Sequence, residues 1–543
     1  MGLDGAAAVE RSDPRDVEGE REPGEGAGGE RPSNQRPERE AGARPARRRQ
    51  QLRFECPDES RVGLRPQRTE PRFEVAIVAE RKRALCHQVV IRMRRRFSDI
   101  VVVTALLVTM LAGAAQAQGL RLGFSDGAFA AGDQATRSAA LERAAAVGGT
   151  IVRFDASWAQ IARARPADPT NPADPAYDWT ALDTAVTSAV AGRRSPLLVL
   201  SRAPAWAEGR GRPSDATPGS WRPNANAFRQ FSTAVARRYS GGFGGLPRVR
   251  YWQIWNEPNL PIYLSPQYER KRGKLVAASP GIFRSLLNAA SAGLKSVHRD
   301  NFVVAGGTAP YGDLIETPDA RMPPVSFLRR VLAKRTDLDA IAHHPYGVGS
   351  PFQRAGNPGD VAVPDVGKLV RVLRAAERAG HVRRGRKVWV TEIAWDSRPP
   401  DPDGIAERRQ ADWLQEALEV LWRQGVSTVT WYLVGDQAPD PSYGATNQGG
   451  VFFRDGRRKL SATAFEMPFV ARFASRGSAT VWGRSPGAQR VIVERLEGGG
   501  WHRVWSETLR AGSVYSARVA AARGDRLRAR AVGGPTSLVW RLR

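Results

Sequence analysis

The sequence predicts an α/β chain, a (β/α)8 TIM barrel followed by a small C-terminal all-β domain and preceded by a disordered N-terminal extension. Three observations predict it. Between residue 120 and about 475, short β-branched runs alternate with longer amphipathic stretches, the pattern of βαβ units on a parallel sheet. Beyond about 478 the pattern changes to short alternating runs separated by Gly-rich turns. The length of 543 residues also exceeds what one hydrophobic core of roughly 250 to 300 residues fills, so more than one module is expected.

Residues 1–92 are rich in Gly, Glu, Arg and Pro with little apolar periodicity, and read as disordered, or as the product of an upstream start when translation begins at Met93. Residues 93–117 have the parts of a signal peptide: the cations Arg94, Arg95 and Arg96, an apolar run over 100–111, and Ala115-Gln116-Ala117 as a cleavage pattern before Gln118. That run is shorter than the roughly 20 residues a bilayer-spanning helix needs, so the expected product is secreted, without stable membrane insertion. An uncleaved membrane anchor is the alternative. Both cysteines, Cys56 and Cys86, lie upstream, which excludes disulfides, a thiol nucleophile and a thiolate metal site from the exported part.

The barrel is expected over 118–475. Its eight strands read as 120–125, 150–155, 196–201, 249–255, 302–307, 340–344, 387–392 and 428–433. Helical patterns such as 225–239, 281–298, 366–379 and 407–424 lie between them, with apolar residues recurring at three and four. The all-β domain, 478–543, is expected to be sandwich-like, with runs at 479–482, 490–494, 501–505, 514–519, 526–531 and 537–540. Trp482, Trp501, Trp505 and Trp540 invite a carbohydrate-binding reading, but inward core packing of these residues is favoured.

The formal charge is +27, yet only eight of the 82 basic residues are Lys, and Arg is scattered through every segment without forming a stripe. A coding bias explains that better than nucleic-acid binding, and attraction to acidic polysaccharide stays open. No metal or cofactor is expected. His343 and His344 are adjacent on a strand and so point to opposite faces, with no second cluster at ligand spacing. There is no Gly-rich phosphate loop and no nucleophile-elbow serine. The sequence sets no expectation for oligomeric state.

In a (β/α)8 barrel function collects where the βα loops leave the C-terminal ends of the strands. The polar and aromatic residues gather there: Ser125 and Asp126, Asp155 and Trp158, Trp206, Asn256 and Glu257, His344 and Tyr346, Glu392 and Trp395, Trp431 and Asp436. Two of them are glutamates that end apolar runs on strands four and seven. Cleaving a glycosidic bond with retention needs a proton donor and a carboxylate nucleophile about 5 to 5.5 Å apart, and two such glutamates can supply both. A rim salt bridge is the bland alternative for either one alone.

The string Trp255-Asn256-Glu257-Pro258-Asn259 together with Thr391-Glu392 resembles the clan A of barrel glycosidases, which holds cellulase-like, β-xylosidase-like and β-mannanase-like families. The resemblance covers nearly all of 120–470. It is closest to the xylosidase-like family 39 type, whose members include secreted exopolysaccharide hydrolases. It implies that Glu257 is the acid/base, Glu392 the nucleophile, and Asn256 a donor to the sugar 2-hydroxyl. Ala342-His343-His344-Pro345-Tyr346 resembles the strand-six motif, which implies that His344 lines the site and Tyr346 donates to the nucleophile. Arg153, with Asp155, sits where clan members keep an arginine near the nucleophile, and 449–452 with Asp455, Gly456 and Lys459 is similar to the closing loop and final helix. Trp206 and Trp431 are expected to contact substrate.

The resulting expectation is a secreted retaining glycosidase that hydrolyses O-glycosyl bonds of a β-linked poly- or oligosaccharide. Two other readings remain beside it: a non-catalytic polysaccharide-binding barrel, and a transglycosidase that passes the intermediate to a sugar instead of water.

Overall fold

The computed structural model describes residues 119–347 and 349–543. The expected extension, 1–92, and the signal peptide, 93–117, lie outside the described residues. No described helix is long and apolar enough to cross a membrane.

Eight parallel strands close a barrel in chain order: β1 (Arg121–Ser125), β2 (Ile151–Ser157), β3 (Ser195–Ser201), β4 (Tyr251–Ile254), β5 (Phe302–Ala305), β6 (Ala340–His343), β7 (Lys387–Val390) and β8 (Val426–Trp431), with β8 returning to β1. Eight helices follow them in turn: α1 (Gln134–Ala146), α2 (Thr180–Ala191), α3 (Ala225–Arg238), α4 (Ser279–Val297), α5 (Pro324–Val331), α6 (Gly367–Arg378), α7 (Glu407–Arg423) and α8 (Leu460–Glu466). Local chemistry starts several of them. Asp133 and Asn224 each accept a hydrogen bond from the backbone N–H three residues on, the N-cap that the first turn of a helix requires.

Strand alternation sorts the side chains. On β2, Ile151, Arg153 and Asp155 share the inward face, while Val152, Phe154 and Ala156 pack outward on the helices. The N-terminal end of the barrel interior is apolar: Ile151, Leu197, Val304, Ala340, Ala342 and Trp389 form one cluster, and Phe302 stacks on Trp389 with ring centroids 5.1 Å apart. At the next layers the inward residues turn polar, with Arg153, Gln253 and Thr391. The barrel is a plug at one end and a polar cup at the other. Only glycine fits at Gly123, where an added Cβ would stand 2.0 Å from the Ile151 carbonyl oxygen.

Beyond α8 come two antiparallel sheets. Strands β9 (Phe469–Ser475), β10 (Ser478–Arg484) and β13 (Val514–Ala520) make one; β11 (Gln489–Glu497), β12 (Gly500–Leu509), β14 (Arg526–Ala531) and β15 (Trp540–Arg541) make the other. Phe469, Val481, Val491, Val493, Tyr515 and Leu527 enclose their common core. Residues 469–475, expected at the end of the barrel, form the first strand of this module, pairing with β10 in a hairpin. Its tryptophans pack. Trp482 is fully buried near Trp422 of α7, Trp505 stacks on Tyr515, and Arg528 covers Trp501. The module docks at the N-terminal end of β1, where Arg484 Nε donates to the Leu120 carbonyl at 2.7 Å.

Candidate active site

Two turns present the glutamates. At the end of β4, Trp255 (φ 68°) and Glu257 (φ 34°) both adopt left-handed backbone, which costs non-glycine residues on the order of 1 to 2 kcal/mol each and persists where the surroundings dictate it. Here three bonds dictate it: Trp255 N–H donates to the Leu200 carbonyl, Glu257 N–H to the Gly307 carbonyl at 2.9 Å, and Trp255 Nε1 to the Tyr263 carbonyl at 2.7 Å. Asn259, buried, ties the same loop to its neighbour through Ala309 and Met322. Glu392 follows β7 and Thr391, with its side chain 15% exposed; that of Glu257 is 13% exposed.

His344 joins them. Its ring is fully buried, Nδ1 lies 2.9 Å from Glu257 Oε1, and Nε2 lies 3.7 Å from Glu392 Oε1 and 3.0 Å from Thr391 Oγ1. The two carboxylates are therefore no farther apart than one imidazole and its contacts. Room for that imidazole comes from Gly307, where a Cβ would stand 2.2 Å from His344 Nε2.

Glu392 is gripped by donors. Arg153 Nη1 stands 2.7 Å from Oε1, and the Tyr346 hydroxyl donates to Oε2 at 3.0 Å. Burial raises the pKa of Glu392, but the charges of His344 and Arg153 and the hydrogen bonds from Tyr346 and Arg153 outweigh it, so the net direction is down. Burial and the carboxylate beside it push the Tyr346 phenol far up, which keeps it a donor. Arg153 also donates to Ser125 Oγ at 2.8 Å, Gln253 Oε1 at 3.1 Å and Asn256 Oδ1 at 2.8 Å. That last bond fixes the Asn256 amide with Nδ2 as its free donor end.

The structure thus brings together Arg153, Asn256, Glu257, His344, Tyr346 and Glu392. It does not bring in the two tryptophans as exposed faces. Trp431 is 1% exposed, lies against Trp395 and donates Nε1 to the Gly449 carbonyl. Trp206 is half-buried edge-on to Trp158 and donates to the Ala162 carbonyl. On β8 the inward residues are Thr428 and Thr430, so alternation carries Tyr432, not Trp431, toward the interior, and the Tyr432 phenol is raised by burial and by Glu392. Tyr432, Gln253 and Thr391 are site neighbours that the sequence reading passed over. A polar residue inside an apolar strand, in phase with Arg153 or Glu257, was the available signal. Tyr263, in the loop after β4, also feels both glutamates. Among the described residues no group of three or more acidic, His or Cys side chains could hold a metal ion.

No family model and no curated protein matches the chain. Solved structures do. It is similar to a glucosidase from Croceicoccus marinus (16% identical, covering 76% of this chain and 96% of that one, TM-score 0.47). It is also similar to a family 39 glycoside hydrolase from the gut symbiont Bacteroides cellulosilyticus WH2 (18%, 75% and 82%, 0.48) and to the GH39 enzyme from Xanthomonas axonopodis pv. citri (16%, 76% and 95%, 0.47).

Proposed function

We propose that the chain is a retaining glycoside hydrolase, secreted by way of residues 93–117, that acts on a β-linked poly- or oligosaccharide. The observation that carries this reading is one imidazole held between two glutamates, of which Glu392 alone is surrounded by donors that keep it ionised. Two carboxyl groups in unlike surroundings, facing one cup, suit a double displacement.

In the first step Glu257 gives its proton to the glycosidic oxygen while a Glu392 oxygen attacks the anomeric carbon. The C–O bond to the leaving sugar breaks with its electron pair on the departing oxygen, and a glycosyl ester of Glu392 forms. Its formation removes the negative charge that Arg153 and Tyr346 had balanced. In the second step Glu257, now ionised, takes a proton from water as the water oxygen attacks the same carbon, and Glu392 leaves as a carboxylate. Two inversions give net retention. In this reading Asn256 Nδ2 donates to a hydroxyl beside the anomeric carbon.

Residues 118–543 are to be assayed on nitrophenyl β-glycosides, xylan, mannan, β-glucan and exopolysaccharides. The reading expects turnover by the wild type, at least a 10³-fold loss in Glu392→Gln with binding retained, and a first-formed product of retained configuration by NMR. A wild type inert across the panel, yet binding glycan, would support a binding barrel instead.

A further inference from the structure

Among the described residues of the eight barrel strands only two are exposed, Lys387 and Asp155. Lys387 opens β7 at the N-terminal end of the barrel, away from the glutamates. Asp155 lies on β2 between the buried Phe154 and Ala156, two residues beyond Arg153. Strand alternation puts it on the same inward face as Arg153, whose guanidinium holds Glu392. Two residues of parallel strand advance about 6.6 Å, so Asp155 stands one layer nearer the mouth, and the water that reaches it comes through the cup.

The surrounding charges agree with this placement. Burial raises the pKa of Asp155, Arg153 and Arg202 pull it down, Glu392 pushes it up, and the net direction is up. Arg202 itself lies over the Tyr263 ring, 4.9 Å from its centroid, and donates to the Ile262 carbonyl at 3.2 Å, which holds this wall in place. A sugar seated across Glu257 and Glu392 would present its ring hydroxyls to this layer.

Resting on the glycosidase reading, we propose that Asp155 selects the sugar: its carboxylate accepts hydrogen bonds from hydroxyls of the ring bound across Glu257 and Glu392, and it refuses a ring that carries a carboxylate. The substrate class is therefore a neutral glycoside, with uronosides excluded at this position. A carboxylate that accepts from hydroxyls makes hydrogen bonds about twice as strong as a neutral acceptor does, whereas like charges placed together are opposed.

The test compares wild type, Asp155→Asn and Asp155→Ala on 4-nitrophenyl β-glucoside, mannoside, galactoside, xyloside and glucuronide. For Asp155→Ala, kcat/KM on the best neutral glycoside should fall about 10- to 100-fold. For Asp155→Asn, the ratio of kcat/KM between that glycoside and the glucuronide should fall at least about 10-fold. This ratio is taken on one preparation, so partial misfolding does not move it. A wild type that cleaves glycosides, with both variants within twofold in rate and ratio, would overturn the role of Asp155 alone. A wild type that cleaves none of the five, nor any polysaccharide, would overturn the glycosidase reading and this role with it.

Discussion

Arg153 Nη1 and Glu392 Oε1 stand 2.7 Å apart, at the point where the inward face of β2 meets the end of β7. One guanidinium also reaches Ser125, Gln253 and Asn256, so four side chains from β1, β4 and the end of β7 are referenced to a single planar group. The fork of an arginine can do this; the ammonium of a lysine, with one centre, cannot.

The pH profile should report that grip. Glu392 has a lowered pKa, so it is ionised down to a pH below the usual glutamate value, and the acid limb of kcat/KM should lie below about 4.5. Arg153→Lys should move that limb to higher pH and lower kcat/KM about 10- to 100-fold, because a single ammonium centre cannot span the four acceptors that the guanidinium fork reaches. Tyr346→Phe removes one hydrogen bond and should move the limb the same way by less. A limb that stays in place in both variants would separate the ionisation of Glu392 from these donors.

Gly307 should matter as much as the histidine it accommodates. A methyl group there would meet His344 Nε2 at 2.2 Å, so Gly307→Ala should push the imidazole off Glu257 and Thr391. Overpacking of this kind costs typically 1 to 3 kcal/mol of stability. The diagnostic result is a fall in kcat at saturating substrate, similar in size to that of His344→Ala, from protein that denaturant unfolding shows to be folded.

Lys459 tests how the mouth is closed. Its fully buried ammonium donates to Asp436 Oδ1 at 2.6 Å, Ser397 Oγ at 2.8 Å and the Gln448 carbonyl at 3.0 Å, which fastens the segment before α8 to the loops after β7 and β8. Removing one partner of a buried pair leaves the other uncompensated. Lys459→Met should lose about 3 to 5 kcal/mol by denaturant titration, and Lys459→Met with Asp436→Leu should recover part of that.

The strands and the glutamates were legible because a parallel strand buried on both sides reads as a short apolar run, and polar residues stand out where it ends. The observed strand ends fall close to those expected, and Arg153, Asn256, His344 and Tyr346 gather at the glutamates as the motifs implied. Position at a strand end points to Trp431 but strand phase does not; one residue decides whether a side chain meets the cup or the helices. The roles of Gly307 and Asn259 were not legible, since each depends on what lies across a gap from another loop. Strand β9 escaped for a like reason. Its partner is a hairpin neighbour in a separate module, and its apolar residues continue the pattern of the barrel without a break.

Asp126 gives a stability prediction whose sign can be worked out. Its carboxylate spans β1 and β8, accepting from Ala128 N–H at 2.9 Å and Val434 N–H at 3.0 Å. Burial outweighs these bonds and the pull of Arg143, and raises the pKa from 3.8 to about 6. A raised carboxyl binds its proton more tightly in the folded state than in the unfolded one. Its contribution is therefore complete below about pH 4 and is lost as pH rises through 6, by about 2 to 3 kcal/mol. Other carboxylates, Glu392 among them, run the opposite way, so the informative quantity is a difference between two proteins. Wild type minus Asp126→Asn, measured by denaturant unfolding at pH 4 and pH 7, should be smaller at pH 7 by that amount. A difference that stays constant, or grows with pH, would mean that the ionised carboxylate is the better fit to its two backbone donors.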